Sequence, residues 1–108
     1  MNEEVVLCGS SCYTKKFYLN EDFKNLPQAI KDELKIMCVL FTEEVSGRIQ
    51  LIFNEDGELR VQVDAQEDDF FYDEIGSALL VKRMQRDKQE LFESLETYYR
   101  VVFLGQGM

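Results

Sequence analysis

The stretch RIQLIFNEDGELRVQV (residues 48–63) decides the fold, because its apolar residues fall on every second position over two runs joined by a turn. Ile49, Leu51 and Phe53 alternate with Arg48, Gln50 and Ile52, and Leu59, Val61 and Val63 alternate with Glu58, Arg60 and Gln62. Successive strand side chains point to opposite faces, so this period puts one face in a core and the other mostly in water. NEDG, residues 54–57, supplies turn residues between the runs and makes the stretch an antiparallel hairpin. A sheet of this kind packs on helices from one side only. A calcium loop does not compete with the hairpin. With Gly57 as its invariant glycine, Ile52 would stand at the first ligand position and Val63 where a bidentate Glu is needed.

Upstream, LPQAIKDELKIMCVLFTEEV (residues 26–45) carries Ile30, Leu34, Met37, Cys38, Phe41 and Val45 at helical steps, with Lys31, Asp32, Glu33 and Lys35 on the other side. Pro27 suits the first turn, Asn25 can cap just before it, and Gly47 ends the helix. Earlier still, EEVVLCGSSCYTKKFYLN (residues 3–20) has two short apolar runs around Gly-Ser-Ser. It reads as a second hairpin, whose turn at residues 9–11 would set Cys8 across from Cys12. Downstream, residues 75–103 bring Val81, Met84, Leu91, Leu95, Tyr98 and Val102 to helical spacing, with Gly76 as the place for a break. The expected architecture is α+β, a single domain over residues 1–108 in the order β-β-α-β-β-α, its antiparallel sheet covered by helices on one face.

As one helix, residues 75–103 would reach about 43 Å and overhang a domain whose radius of gyration is about 13 Å. Leu91, Leu95, Tyr98, Tyr99 and Val102, with Phe92 and Phe103, offer more apolar surface than one helix face needs. Two outcomes follow. Either identical helices pair about a twofold axis into a homodimer through Leu91, Leu95, Tyr98, Tyr99 and Val102, or a break near Gly76 lets the aromatics fill the monomer's own core.

Composition narrows the functional classes. The 108 residues carry 12 cations and 21 acids, a net charge of −9 that repels phosphate backbones and argues against nucleic acid as a partner. The basic cluster KRMQRDK (residues 82–88) reads as a solvated helix face. No stretch reads as a signal peptide or a membrane span, so a cytoplasmic location is expected. There is no His, which removes the usual acid–base residue near neutral pH and, with three Cys, any four-ligand zinc site made from Cys and His. No Ser or Cys has an activating neighbour and no Gly-rich phosphate loop occurs, so no cofactor, metal or catalytic residue is expected.

One stretch departs furthest from average composition. DAQEDDFFYDE (residues 64–74) holds six carboxylates and three aromatic rings without a Lys or Arg. Asp68, Asp69, Asp73 and Glu74 precede a helical pattern, where carboxylates accept from free N–H groups and meet the positive end of the helix dipole. That role needs fewer acids than are present. The remainder fits either solvation or a partner-docking surface made of Asp68, Asp69, Phe70, Phe71, Tyr72, Asp73 and Glu74, since aromatics are enriched at interface centres. A divalent-metal site or a small carboxylate-dependent enzyme using the same acids is the alternative to a non-enzymatic interaction module.

LKIMCVLFTEEVSG (residues 34–47) and DEIGSALLVKRMQRDKQELFESLETYYRVVFLG (residues 73–105) resemble a family of small acidic proteins, a domain of unknown function, from clostridial bacteria. The similarity spans almost the whole chain. It implies a bacterial, cytoplasmic, single-domain protein and assigns no site residue.

Overall fold

In the computed structural model, which describes residues 4–106, the alternation at residues 48–63 becomes the hairpin it predicts. Strand β3 (Arg48–Phe53) and strand β4 (Leu59–Asp64) pair antiparallel in uninterrupted register from Arg48 opposite Asp64 to Phe53 opposite Leu59. The Asn54 side chain organises the turn by accepting from the N–H groups of Asp56 (3.0 Å) and Glu58 (2.9 Å).

Strand β1 (Val5–Ser11) and strand β2 (Lys16–Leu19) form a second antiparallel hairpin, and β1 also pairs with β3, giving the sheet order β2-β1-β3-β4. Here the sequence misleads: the turn is not at residues 9–11. Those residues continue β1, and the chain reverses at residues 12–15. Tertiary contacts outweigh the turn propensity of Gly-Ser-Ser. Ser10 faces the helical layer, where its hydroxyl is buried 3.3 Å from that of Thr42, and Gly9 lies under the Tyr18 ring. A register shift between Val6 and Cys8 lets Leu7 and Cys8 both be buried in the core. Cys8 therefore does not face Cys12; its sulfur lies 4.0 Å from that of Cys38. All three cysteines are free.

Helix α1 (Gln28–Val45) buries Leu34, Met37, Cys38, Phe41 and Val45, the apolar stripe read from its spacing. Asn25 does not cap it. Pro27 is the N-cap, and its carbonyl accepts from the N–H groups of Ile30 and Lys31. The segment expected as one helix, or as two split at Gly76, is helix α2 (Glu74–Asp87) followed by helix α3 (Gln89–Val102), with the bend at Lys88. Gly76 sits in the first turn of α2, where its N–H is accepted by the capping Asp73 carboxylate at 2.9 Å. Hydrogen bonds continue on both sides of the bend, from Lys88 N–H to the Met84 carbonyl and from Phe92 N–H to the Lys88 carbonyl.

The reason for the bend is the pair of neighbours each half serves. α2 lies along α1, where the Lys88 ammonium meets Glu33 at 2.9 Å, while α3 packs on β4 and the hairpin turn. Glu96 accepts from the Leu59 N–H at 2.8 Å and Arg100 donates to the Asp56 carbonyl at 3.2 Å. A straight helix could not make both sets of contacts.

All three helices share one core with the Ile49, Leu51, Phe53 and Leu59 face of the sheet, and the order β-β-α-β-β-α holds with its last helix in two pieces. Between the layers, Phe53 stacks on Tyr99 at 4.2 Å between ring centroids and on Phe23 at 5.6 Å, and Phe103 closes the group against Phe23 at 4.8 Å. Val61 and Val63 are only half-buried because β4 is an edge strand. Ile52, on the face read as wet, is buried between Val6 and Arg60 in the register. Among the described residues no helix is long and apolar enough to cross a membrane.

Phe53 is fully buried and stacks on both Phe23 and Tyr99, so Phe53→Ala removes both stacking contacts at once. The variant is expected to lose about 3 to 5 kcal/mol of stability, read as a large drop in the urea midpoint.

Candidate functional site

The acidic aromatic segment, residues 64–74, leaves the end of β4 and returns to the end of α1 before starting α2. What holds it there is set by the chain reversal after α1. Ser46 and Gly47 both take left-handed backbone, with φ of 65° and 84°. Gly47 also leaves room for the Tyr72 ring, because a Cβ there would stand 2.6 Å from the Asp64 carbonyl and 3.0 Å from that ring.

This reversal aims the Ser46 hydroxyl at Asp69, which accepts from it at 2.7 Å. The same carboxylate oxygen accepts from the Tyr13 hydroxyl at 2.5 Å, and the other oxygen accepts from the Phe71 N–H at 3.0 Å. Tyr13 in turn accepts from the Gln66 N–H at 3.0 Å, and its ring lies 5.6 Å from the Arg48 guanidinium. Arg48 grips Asp64, its cross-strand neighbour, with two hydrogen bonds of 2.9 and 3.0 Å. Cys12 sits beside the group, its sulfur accepting from the Gly47 N–H at 3.1 Å.

The electrostatics follow from this geometry. The Tyr13 and Ser46 hydrogen bonds stabilise the ionised carboxylate and hold Asp69 below the usual aspartate range. Tyr13 is pushed up, first by desolvation and then by its bond to Asp69. Neither Tyr13 nor Ser46 is marked by its local sequence; only the fold brings three segments distant in sequence to one carboxylate.

The acids of the segment therefore have separate tasks. Asp64 pairs with Arg48, Asp69 ties the segment to the β1–β2 turn and to the end of α1, and Asp73 caps α2. Glu74 lies in the first turn of α2, and Asp68 is exposed. Among the described residues no group of three or more His, Cys, Asp or Glu side chains is placed to hold a metal ion. The aromatics divide as well. Tyr72 turns inward and donates to the buried Ser77 hydroxyl at 3.0 Å. Phe70 and Phe71 turn outward, 93% and 91% exposed. Phe71 also borders a cavity of about 630 Å³ lined by Ser11, Cys12, Lys15, Val39, Thr42 and Ser46.

The second candidate surface, on the last helix, changes character. Leu95 and Tyr99 are buried in the monomer's core, and Leu91 and Tyr98 are half-buried against it. Of the five residues read as a dimer face only Val102, at 56%, is well exposed. The bend at Lys88 lays the Leu95 and Tyr99 side of α3 on the sheet, while Val101 and Val102 stay exposed.

Residues 4–107 match a family of unknown function, DUF6145, and the chain belongs to it. No curated protein and no solved structure matches the chain.

Because Asp69 has a folded pKa below its ordinary value near 3.8, the stability it confers is fully present above that value. It is lost as pH falls through the lower, folded one. Asp69→Ala is expected to melt below the parent at pH 7, and the gap between the two should narrow in melting curves as pH falls below the ordinary aspartate value near 3.8.

Proposed function

We propose that this protein is a non-enzymatic interaction module, bacterial and cytoplasmic, that docks a protein partner on Phe70 and Phe71. The observation carrying this reading is the exposure of two adjacent Phe rings on a segment whose backbone is tied down by Asp69 and Asp73. Exposed apolar rings have a cost in solubility, and a disordered loop would lose much of their binding energy on ordering. A pinned loop avoids most of that loss, which makes the pair suitable as interface anchors. The surrounding Glu67, Asp68, Asp73 and Glu74 define the partner's chemistry as an apolar cleft rimmed by Lys or Arg, with attraction at long range and weakening in salt. The cavity beside Phe71 extends the same surface and has room for a side chain of the partner.

An acid-dependent enzyme is less well supported, because Asp64, Asp69 and Asp73 are each engaged with different neighbours and do not converge on one cavity.

A photo-crosslinking amino acid at position 71 is expected to trap one dominant partner in cells, with capture lost on Phe70→Ser and reduced in high salt. Absence of an adduct, or an adduct indifferent to Phe70→Ser, would overturn the assignment. Phe70→Ser with Phe71→Ser should shift the free energy of unfolding by no more than about 0.5 kcal/mol per substitution, as expected of exposed side chains, so loss of capture would not be loss of fold.

A further inference from the structure

The helices cover one face of the sheet, and the other face carries a row of four residues in register: Tyr18, Gly9, Gln50 and Gln62. Tyr18 lies down across this row. A Cβ at Gly9 would stand 2.9 Å from its ring edge and 3.0 Å from its hydroxyl, and that hydroxyl accepts from the Gln50 amide at 2.7 Å on the strand beyond. The inner face of the ring covers the backbone of Gly9, while 46% of the residue is exposed. A shallow cavity of about 510 Å³ lies over it, lined by Ser11, Lys16, Tyr18, Arg48, Gln50, Gln62 and Asp64.

Charge in this cavity runs against that of the chain. Arg48 and Asp64 neutralise one another through two hydrogen bonds, while Lys16 has no ion pair among the described residues. Within this cavity that leaves one cation without an acidic partner. Next to Gln50, the exposed Gln62 amide makes no hydrogen bond among the described residues and offers a donor and an acceptor in one plane. A flat ring, an unengaged amide and a free ammonium thus share one face.

We infer that this face binds a nucleoside monophosphate, its base stacked on Tyr18, the base edge met by Gln62 and the phosphate held by Lys16. Stacking suits the site because the one broad apolar surface it offers is planar, and any base presents a π-face to it. One phosphate suits it because the charge available is a single ammonium. A polynucleotide does not, since its further phosphates would meet the acids that give the chain its sign. Tyr18 also shields the backbone of a strand glycine, a structural role that accounts for the ring's inner face but not for the unengaged Gln62 and Lys16 beside it.

Titration of AMP into isotope-labelled protein tests the inference by amide resonances. Saturable shifts are expected at Gly9, Lys16, Tyr18, Gln50 and Gln62, unchanged in the Phe70→Ser, Phe71→Ser protein. Tyr18→Phe should keep the affinity, whereas Tyr18→Leu should weaken it by about tenfold or more, the loss of one stacked base. Lys16→Ala should weaken AMP and leave adenosine unaffected, and Gln62→Leu, an exposed and structurally mild change, should weaken both. No saturable shift at millimolar AMP, or shifts that persist in Tyr18→Leu and Gln62→Leu, would overturn it.

Discussion

The mutual stacking of Phe53, Phe23 and Tyr99 is the contact on which the rest of the molecule depends. The three rings come from the turn before α1, the central strand β3 and the last helix, so their stacking joins segments with no local reason to meet. Aromatic pairs of this geometry contribute about 0.5 to 1.5 kcal/mol each beyond the area they bury. Once Tyr99 is fixed on Phe53, α3 must run over β4 and the chain must bend at Lys88. α2 is then free to lie along α1, and its start fixes where the acidic segment can go.

What was legible in the sequence was what depends on local period. The β3–β4 hairpin and the stripe of α1 follow from spacings of two and of three to four, because burial of one face is a property of consecutive residues. Gly-Ser-Ser misleads because its propensity for turns is a local preference, and here it is outweighed by a buried Ser10 and a covered Gly9 whose partners, Thr42 and Tyr18, lie elsewhere. The bend at Lys88 was invisible for the same reason: no breaker marks it, and only competition between two packing partners produces it. An apolar stripe says that a surface will be covered. It does not say whether the cover is a second copy or the protein's own sheet, and for Leu95 and Tyr99 it is the sheet.

The acidic segment was legible as an anomaly and illegible as a device. Six acids in eleven residues exceed what a helix start needs and leave solvation, docking or a metal open for the rest. The fold instead gives several of them separate partners, and leaves Glu67 and Asp68 to water. Asp73 as a cap could be read from its place before a helical pattern. Asp69 could not, since its donors Tyr13 and Ser46 reach it only after the first hairpin and the end of α1 are in place. The outward turn of Phe70 and Phe71 is equally non-local, because it follows from Tyr72 taking the inward position against Gly47 and Ser77.

The late position of Tyr99 and Phe103 in the chain sets the order of assembly during synthesis. Both hairpins and α1 can form while the ribosome is still making α2, but the aromatic face of β3 then has no lid. Loop closure between Phe53 and Tyr99 is the entropic toll that separates this open sheet from the closed core. Until α3 emerges, the nascent chain presents an apolar surface flanked by two edge strands, the kind of intermediate that holding chaperones recognise. The aromatic face of β3 is therefore completed only by the last helix, the final element of the chain to be made.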